Sequence, residues 1–281
     1  MPANRDPVAE MIATLDVQPT GPDEFSGRTS VDDQPGYDRA FGGDLLGQAT
    51  VASGRTVPGA MLHSLHAYFL RPGRAGAPVT LRVERVRDGR SFAHRRVRVE
   101  QGTHLLCDVA ANFVLGEGVG VAYQETALDA PDPETLPDLR NEPGADQWAF
   151  EWRHVDDPAT PVAEGEPAIW RVWMRPNSPL PDDPLLHIAA AVQMSDAGAF
   201  GAVERRFEGG IDWSRSASLD HAIWFHRPLR WDGWLLVHTE SPVAHGGRAL
   251  MRRSMFTPDG ALVASVVQEA LFRGHAARPA R

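Results

Sequence analysis

Residues 187–200, HIAAAVQMSDAGAF, form an almost wholly apolar stretch that carries a single carboxylate, Asp196. Read as a helix, the stretch places Asp196 on the same face as Ala189, Val192 and Phe200, at spacings of seven, four and four residues. A helix that is apolar on nearly all sides is normally buried. The stretch therefore predicts a central helix with an acid in its middle, and the presence of that acid needs an explanation.

A second stretch, FGGDLLGQATVASG at residues 41–54, predicts another buried helix, opened by a glycine pair and closed near Gly54. One strand pattern precedes each predicted helix and four follow it, so the order strand, helix, four strands occurs twice. The strand patterns lie at residues 24–31, 63–71, 78–87, 92–100 and 104–114 in the first half, and at 168–175, 218–228, 234–245, 248–257 and 261–272 in the second.

Local matches between the two halves indicate a duplication. Arg71-Pro72 and Arg227-Pro228 lie 156 residues apart, and Gly102 and Gly260 lie 158 apart. A helix that is apolar on most sides must be covered on most sides, which a strongly curved sheet achieves. The predicted fold class is therefore α+β: a double hotdog, with two tandem hotdog units that each wrap a curved antiparallel sheet around a central helix.

The change in composition after the first set of strands predicts the domain boundaries. Residues 116–165 are proline-rich and acidic with little periodicity, as is typical of a linker that runs over the surface. We expect an N-terminal hotdog domain at 1–115, this linker at 116–165, and a C-terminal hotdog domain at 166–281 that carries the acid.

Charge and composition exclude several classes of function. The 281-residue chain has a formal net charge of −9, which argues against non-specific nucleic-acid binding. All 28 basic residues are arginines, so Schiff-base chemistry on a lysine is excluded. The apolar runs are shorter than the roughly 18 residues of a membrane span, and the charged N-terminus lacks the apolar region of a signal peptide. We expect a cytoplasmic protein without a membrane partner.

The cysteine and histidine positions favour neither a metal nor a cofactor. Cys107 is the single cysteine and lies in an apolar strand pattern, where we expect a core side chain, although a nucleophilic thiol stays open. His63 and His66 are three residues apart on a strand, and His221 and His226 are five apart, so the members of each pair point to opposite faces. No metal site and no cofactor are predicted.

The sequence resembles the acyl-CoA thioesterase II family, whose members are double hotdogs. The resemblance implies that the protein hydrolyses acyl-CoA thioesters to free acid and CoA, within fatty acid metabolism. The stretches that carry it, in the family's order, are FGGDLLGQA (41–49), HSLHAYFLRPG (63–73), RDGRSFAHRRV (87–97), SLDHAIWFHRP (218–228) and DGALVASVVQEA (259–270).

The resemblance also implies a catalytic trio, which falls by motif on Asp196, Ser218 and Gln268. The family typically has threonine where this chain has Ser218, so the hydroxyl is kept and a methyl group is lost. The family usually has glutamine where, in this chain, Asp44 follows the glycine pair.

These residue types suit thioester hydrolysis, which needs an activated water and a stabilised oxyanion. A carboxylate on an apolar helix face loses hydration, which disfavours its charged form and makes it a better base. We expect Asp196 to act as the general base, with Ser218 and Gln268 orienting it and the water; an acyl-aspartate intermediate is the alternative. Equating the starts of the two helices puts Thr50 where the second has Asp196, so the fold itself does not need an acid there.

Substrate contacts are predicted from both halves. Gly42 and Gly43 let a substrate carbonyl approach backbone N–H groups at the positive end of a helix, although close packing explains glycines there equally well. Gln48, Met194 and Trp224 are predicted to line the acyl-CoA cleft, with core packing as the competing interpretation. Acyl-CoA is the expected partner, and a homo-oligomer is expected because hotdog units often bury sheet edges in assemblies.

Two other functions stay open at the level of sequence. One is an acyl-CoA or lipid-binding hotdog protein with weak or no turnover, which would usually lack one member of the trio. The other is a hotdog hydratase, whose chemistry favours an Asp/His pair; His187 is nine residues from Asp196 and on the opposite helix face.

Overall fold

The computed structural model describes residues 6–31, 38–116, 120–125, 128–141, 148–207 and 211–273. In the first half, a short amphipathic helix and a hairpin precede the helix and four strands predicted from the sequence. The elements are α1 (Pro7–Leu15), β1 (Gln18–Gly21), β2 (Glu24–Arg28), α2 (Gly42–Gly54), β3 (Met61–Phe69), β4 (Pro78–Asp88), β5 (Phe92–Gln101) and β6 (His104–Val114).

The second half repeats this order with some additions. Short 3₁₀ turns lie at Pro133–Thr135, Leu139–Asn141 and Trp213–Arg215. The helices and strands are β7 (Phe150–His154), β8 (Ala168–Pro176), α3 (Pro184–Asp196), α4 (Gly201–Glu204), β9 (Ser216–Ser218), β10 (Asp220–Phe225), β11 (Leu235–His245), β12 (Arg248–Phe256) and β13 (Leu262–Phe272).

The thirteen strands of the described residues form one antiparallel sheet that continues through both halves. Its order is β1-β2-β4-β5-β6-β3-β10-β13-β12-β11-β8-β7, and β9 pairs with β13. The order β2-β4-β5-β6-β3 is followed by β10-β13-β12-β11-β8, which is the same arrangement in reverse. The halves meet where β3 pairs with β10, with Leu65 opposite Ile223. The α+β double hotdog predicted from the repeat is therefore confirmed.

The two central helices pack against each other in opposite directions, with the start of α2 against the end of α3. A Cβ added at Gly43 would lie 2.4 Å from the backbone oxygen of Gln193, and one at Gly47 would lie 3.2 Å from that of Ala189. Glycine is required at Gly43 because this approach leaves no room for a Cβ. The close packing brings the first turn of α2 beside Asp196.

Helix α3 ends earlier than the sequence predicts. It begins at Pro184, where the side chain of the N-cap Asp183 accepts a hydrogen bond from the N–H of Leu185 at 2.9 Å. It ends at Asp196, two residues before Gly198, which has a φ of +59°. The acid is therefore at the end of the helix and not in its middle.

The early end of α3 changes two details of the sequence analysis. Phe200 lies outside the helix, so its predicted helical spacing from Asp196 is wrong, and its ring packs against that of Phe272. Helices α2 and α3 each have 13 residues, so equating their bounds puts Gly54, not Thr50, at the position of Asp196. The first half still has no acid there.

Strand β7 lies within residues 116–165, the stretch predicted to be a linker. It pairs with β8, with Phe150 opposite Pro176. Glu151 and Arg153 are buried on it and form an ion pair with each other. The acidic, proline-rich stretch thus contains a strand of the sheet, and the domain boundaries stay a prediction.

In the described part of the chain, no helix has the length and apolar character that crossing a membrane requires.

Candidate active site

The structure brings together the three residues of the predicted trio. Asp196 ends α3, Ser218 ends β9, and Gln268 faces them from β13, which pairs with β9. The Gln268 side-chain nitrogen Nε2 donates to Asp196 Oδ1 at 2.7 Å and to Ser218 Oγ at 2.6 Å. Ser218 Oγ lies 3.5 Å from the same Oδ1. One carboxylate oxygen is therefore held by an amide and approached by a hydroxyl.

The other carboxylate oxygen faces the first half of the chain. A Cβ added at Gly42 would lie 2.7 Å from Asp196 Oδ2, so the start of α2 comes close to this oxygen. The N-cap residue Phe41 makes no side-chain capping hydrogen bond. The backbone N–H groups of the first turn of α2 are thus left without a side-chain cap, beside the acid. Each half contributes to one composite arrangement.

Gly43 and Gln48, two further predicted substrate contacts, have partners within the fold. Gly43 packs against the backbone of Gln193 and the ring of Phe41. Gln48 is fully buried, and its amide donates to the backbone oxygens of Thr14 and Arg28, both at 2.8 Å. Gln48 therefore joins α2 to the N-terminal segment and does not line a cleft beside Asp196.

The structure places Met194 and Trp224 in two different environments. Met194 is a buried member of the main hydrophobic core. On β10, His221 is buried and Trp224 is half-buried on the opposite face, where its ring contacts that of His66 with centroids 4.9 Å apart. Since His221 faces Gln268, the Trp224 side chain points away from the trio.

Comparison with known proteins decides the family. The family model described as the acyl-CoA thioesterase N-terminal domain matches residues 31–116, and that of the C-terminal domain matches residues 124–272. The chain belongs to the acyl-CoA thioesterase family.

Similar proteins include Acyl-CoA thioesterase 2 of Haemophilus influenzae, which is 33% identical over 85% of this chain and 89% of its own. Acyl-coenzyme A thioesterase 8 of Mus musculus is 30% identical over 94% of this chain and 88% of its own. Among solved structures, the acyl-CoA thioesterase II TesB2 from Mycobacterium marinum superimposes with a TM-score of 0.79 at 37% identity, covering 94% of this chain and 98% of its own.

His221 is a buried residue of this thioesterase that the sequence analysis considered only as a metal ligand. Its Nδ1 lies 3.1 Å from Gln268 Oε1, and its Nε2 lies 2.9 Å from Ser195 Oγ. Burial lowers the pKa of His221, which favours the neutral imidazole. The sequence feature that could have revealed it is its position on the predicted strand, three residues after Ser218 and two before Ile223. Residues two apart on a strand share a face, so His221 lies on the same inward face as Ile223.

Arg253 is a second buried polar residue that sequence reasoning missed. Its Nη1 donates to the backbone oxygens of Ser195 and Ala197, at 2.6 and 2.9 Å, and its Nε donates to Thr239 Oγ1 at 2.9 Å. Burial lowers the pKa of the guanidinium to about 10, and the negative charge of Asp196 opposes this shift. Arg253 therefore stays charged at neutral pH and fixes the end of α3 on both sides of Asp196.

Asp44, the departure from the family pattern, is fully buried at the start of α2. Its Oδ2 accepts from the N–H and hydroxyl of Ser30 at 2.8 and 2.6 Å, and its Oδ1 accepts from Gln193 Nε2 at 2.7 Å. Burial raises the pKa of this carboxyl, and the hydrogen bonds oppose the rise. Asp44 thus links α2 to α3 and to the segment after β2.

Among the described residues, no group of three or more His, Cys, Asp or Glu side chains could hold a metal ion.

The single thiol of the thioesterase is expected to be inert in the folded protein. Cys107 is fully buried on β6, and burial raises the pKa of its thiol far above neutrality. A disulfide reagent should therefore fail to label the native protein and should label one thiol after unfolding in guanidinium. Cys107→Ala should keep its kcat. Rapid labelling of the native protein with loss of activity would instead support the thiol as a nucleophile.

Proposed function

We propose that the protein hydrolyses acyl-CoA thioesters to the free carboxylic acid and CoA. The observation that carries the proposal is the Asp196 carboxylate, held through Oδ1 by Gln268 while Oδ2 faces the start of α2. An acid with one oxygen fixed and the other facing an uncapped helix N-terminus suits general-base hydrolysis. The names of the relatives described above, which are acyl-CoA thioesterases, support the same reaction and substrate class.

In this mechanism a water lies between Asp196 and the thioester carbonyl. Asp196 takes a proton from the water as its oxygen attacks the carbonyl carbon. Gln268 uses both of its amide hydrogens, on Asp196 and on Ser218, so the Ser218 hydroxyl hydrogen is left to orient the water. The tetrahedral intermediate then expels the CoA thiolate as the carbon–sulfur bond breaks, and the proton on Asp196 passes to the sulfur.

The first half of the chain supplies the electrostatic part of this mechanism. Backbone N–H groups of the first turn of α2, at Gly42 and Gly43, stabilise the oxyanion at the positive end of the helix dipole. A Cβ at Gly42 would lie 2.7 Å from Asp196 Oδ2 and 3.0 Å from the Phe69 ring. The glycine therefore allows the carboxylate to lie against the backbone at the start of α2, next to these N–H groups.

The hydratase alternative gains no support from the placement of His187. This histidine is buried near the start of α3, and its Nδ1 accepts a hydrogen bond from the N–H of Trp231 at 3.0 Å. It therefore serves a packing contact at the opposite end of the helix from Asp196.

A thiol-release assay across acyl-CoAs from short to long chains tests the proposed function. We expect release of CoA by the wild-type protein on at least part of the series, and little by Asp196→Ala at equal concentration. If release by the wild type does not exceed that of Asp196→Ala on any substrate, the protein is a binder and not a hydrolase. Equilibrium binding of the same acyl-CoAs to Asp196→Ala then measures what it binds.

The expectations of a cytoplasmic location, a role in fatty acid metabolism and a homo-oligomer remain part of this proposal. The two ends of the sheet order, β1 and β7, are edge strands, and edge strands are often covered in assemblies. Light scattering coupled to size-exclusion chromatography would measure the mass; a monomer at all concentrations would remove the oligomer from the proposal.

A further inference from the structure

We propose that Ser195 and His221 form a hydrogen-bonded relay that fixes the side-chain amide of Gln268 with its nitrogen toward Asp196. Both residues are buried. Ser195 contacts His221, His221 contacts Gln268, and Gln268 in turn donates a hydrogen bond to Asp196. Ser195 and His221 would act as positioning residues for the trio. This inference deepens the proposed function and rests on it.

The Gln268 amide needs such a constraint because its two ends have nearly the same size and differ only in hydrogen bonding. The observed orientation gives Nε2 two acceptors, Asp196 Oδ1 and Ser218 Oγ, and places Oε1 3.1 Å from His221 Nδ1. A rotated amide would put its oxygen against the carboxylate, where two acceptors repel each other. Asp196 would then lose the donor that holds Oδ1.

The orientation of the amide sets the tautomer of His221. Gln268 Oε1 can only accept, so His221 Nδ1 must carry a hydrogen. A neutral imidazole has one N–H, so Nε2 must accept, and Ser195 Oγ lies 2.9 Å from it. In this tautomer the Ser195 hydroxyl donates to His221 Nε2, and His221 Nδ1–H donates to Gln268 Oε1. Gln268 Nε2 then donates to Asp196 Oδ1.

Ser195 has a competing acceptor, the backbone oxygen of Val192 at 2.7 Å. If the Ser195 hydroxyl donated to Val192 instead, Ser195 could only accept from the ring, which would favour the tautomer with the hydrogen on His221 Nε2. Nδ1 would then face Gln268 Oε1 without a hydrogen between them. The relay therefore requires that the Ser195 hydroxyl donate its hydrogen to His221 Nε2 and not to the backbone oxygen of Val192.

The charge state of His221 is compatible with the relay. Burial lowers its pKa, and the positive charge of Arg253 acts in the same direction, whereas Asp196, Asp220 and the Gln268 hydrogen bond oppose it. The neutral ring therefore prevails at neutral pH, and the choice between tautomers is left to Ser195 and Gln268.

Ser195→Ala tests the relay, with Ser53→Ala as the matched control. Ser53 is also a buried helix serine, but its hydroxyl donates to carbonyls of its own helix, those of Ala49 and Thr50. Ser195→Ala should lower kcat about tenfold, the change expected when one neutral hydrogen bond is lost, with KM unchanged. Ser53→Ala should leave kcat unchanged. In a Gln268→Ala background, Ser195→Ala should cause no further loss.

The tautomer itself is measured by ¹⁵N NMR of the histidine rings, with the His221 signal assigned by its absence in His221→Asn. The wild-type protein should show the Nδ1–H form, and Gln268→Ala, which removes the acceptor that faces Nδ1, should shift it toward the Nε2–H form. An Nε2–H form in the wild type, or an unchanged kcat in Ser195→Ala, would overturn the relay. Since this spectrum does not depend on turnover, failure of the relay is distinguishable from failure of the proposed hydrolysis.

Discussion

Asp196→Asn is expected to lower kcat by about 10²–10⁴-fold, the usual contribution of a general base. Asparagine has nearly the same size and its amide oxygen can still accept from Gln268 Nε2, but it cannot take a proton from water at neutral pH. Substrate binding does not need the charge, so KM should change little. Initial rates of CoA release at saturating acyl-CoA measure the effect.

Asp108→Asn is a suitable control because Asp108 is a half-buried acid on β6 that pairs with Arg96. This variant should keep its kcat, and the unfolding temperature of Asp196→Asn should remain near that of the wild type. An Asp196→Asn protein with full activity on its best acyl-CoA would show that the acid has only a structural role.

Gly43→Ala is expected to lower the free energy of unfolding by about 3 kcal/mol, the upper end of the usual effect of overpacking. The added Cβ would lie 2.4 Å from the backbone oxygen of Gln193 and 2.5 Å from the ring of Phe41. The backbone of α3 cannot turn away as a flexible side chain can, so the two helices must separate. Because the first turn of α2 borders Asp196, kcat should fall as well.

Denaturant unfolding of Gly43→Ala beside Gly233→Ala isolates the clash from the general effect of replacing a glycine. A Cβ at Gly233 meets no atom within 4 Å, and its φ lies outside the left-handed region, so this control should be nearly as stable as the wild type. Equal stability of the two variants would contradict close packing of α2 on α3.

The sequence predicted the elements well where burial produces a clear periodicity. The helix predicted at 41–54 is observed at Gly42–Gly54, because apolar residues on most of its faces match the enclosure it has in the fold. The pattern of α3 continues through apolar residues beyond Asp196, and periodicity cannot show that Gly198 takes a positive φ and ends the helix. Strand β7 was missed because its buried Glu151 and Arg153 have the pattern of exposed residues.

The site was only partly predictable for a similar reason. The trio was predicted from family motifs. The hydrogen bonds of His221 with Ser195, and of Arg253 with the end of α3, join residues that are distant in the chain. Such contacts produce no periodic pattern in the sequence. Trp224 is instructive, since it is three residues from His221 on one strand and must therefore face the other side of the sheet. The alternation of side chains along the strand could therefore have shown, from the sequence alone, that Trp224 and His221 lie on opposite faces of the sheet.

The central claim is that Asp196 acts on water and not directly on the substrate carbonyl. Rapid chemical quench of a single turnover, with CoA and free acid measured at each time and the intact protein weighed, tests it most directly. We predict that CoA and acid appear in equal amounts at every time and that the protein mass stays constant. A burst of CoA ahead of the acid, with a protein heavier by one acyl group, would contradict it and establish an acyl-aspartate.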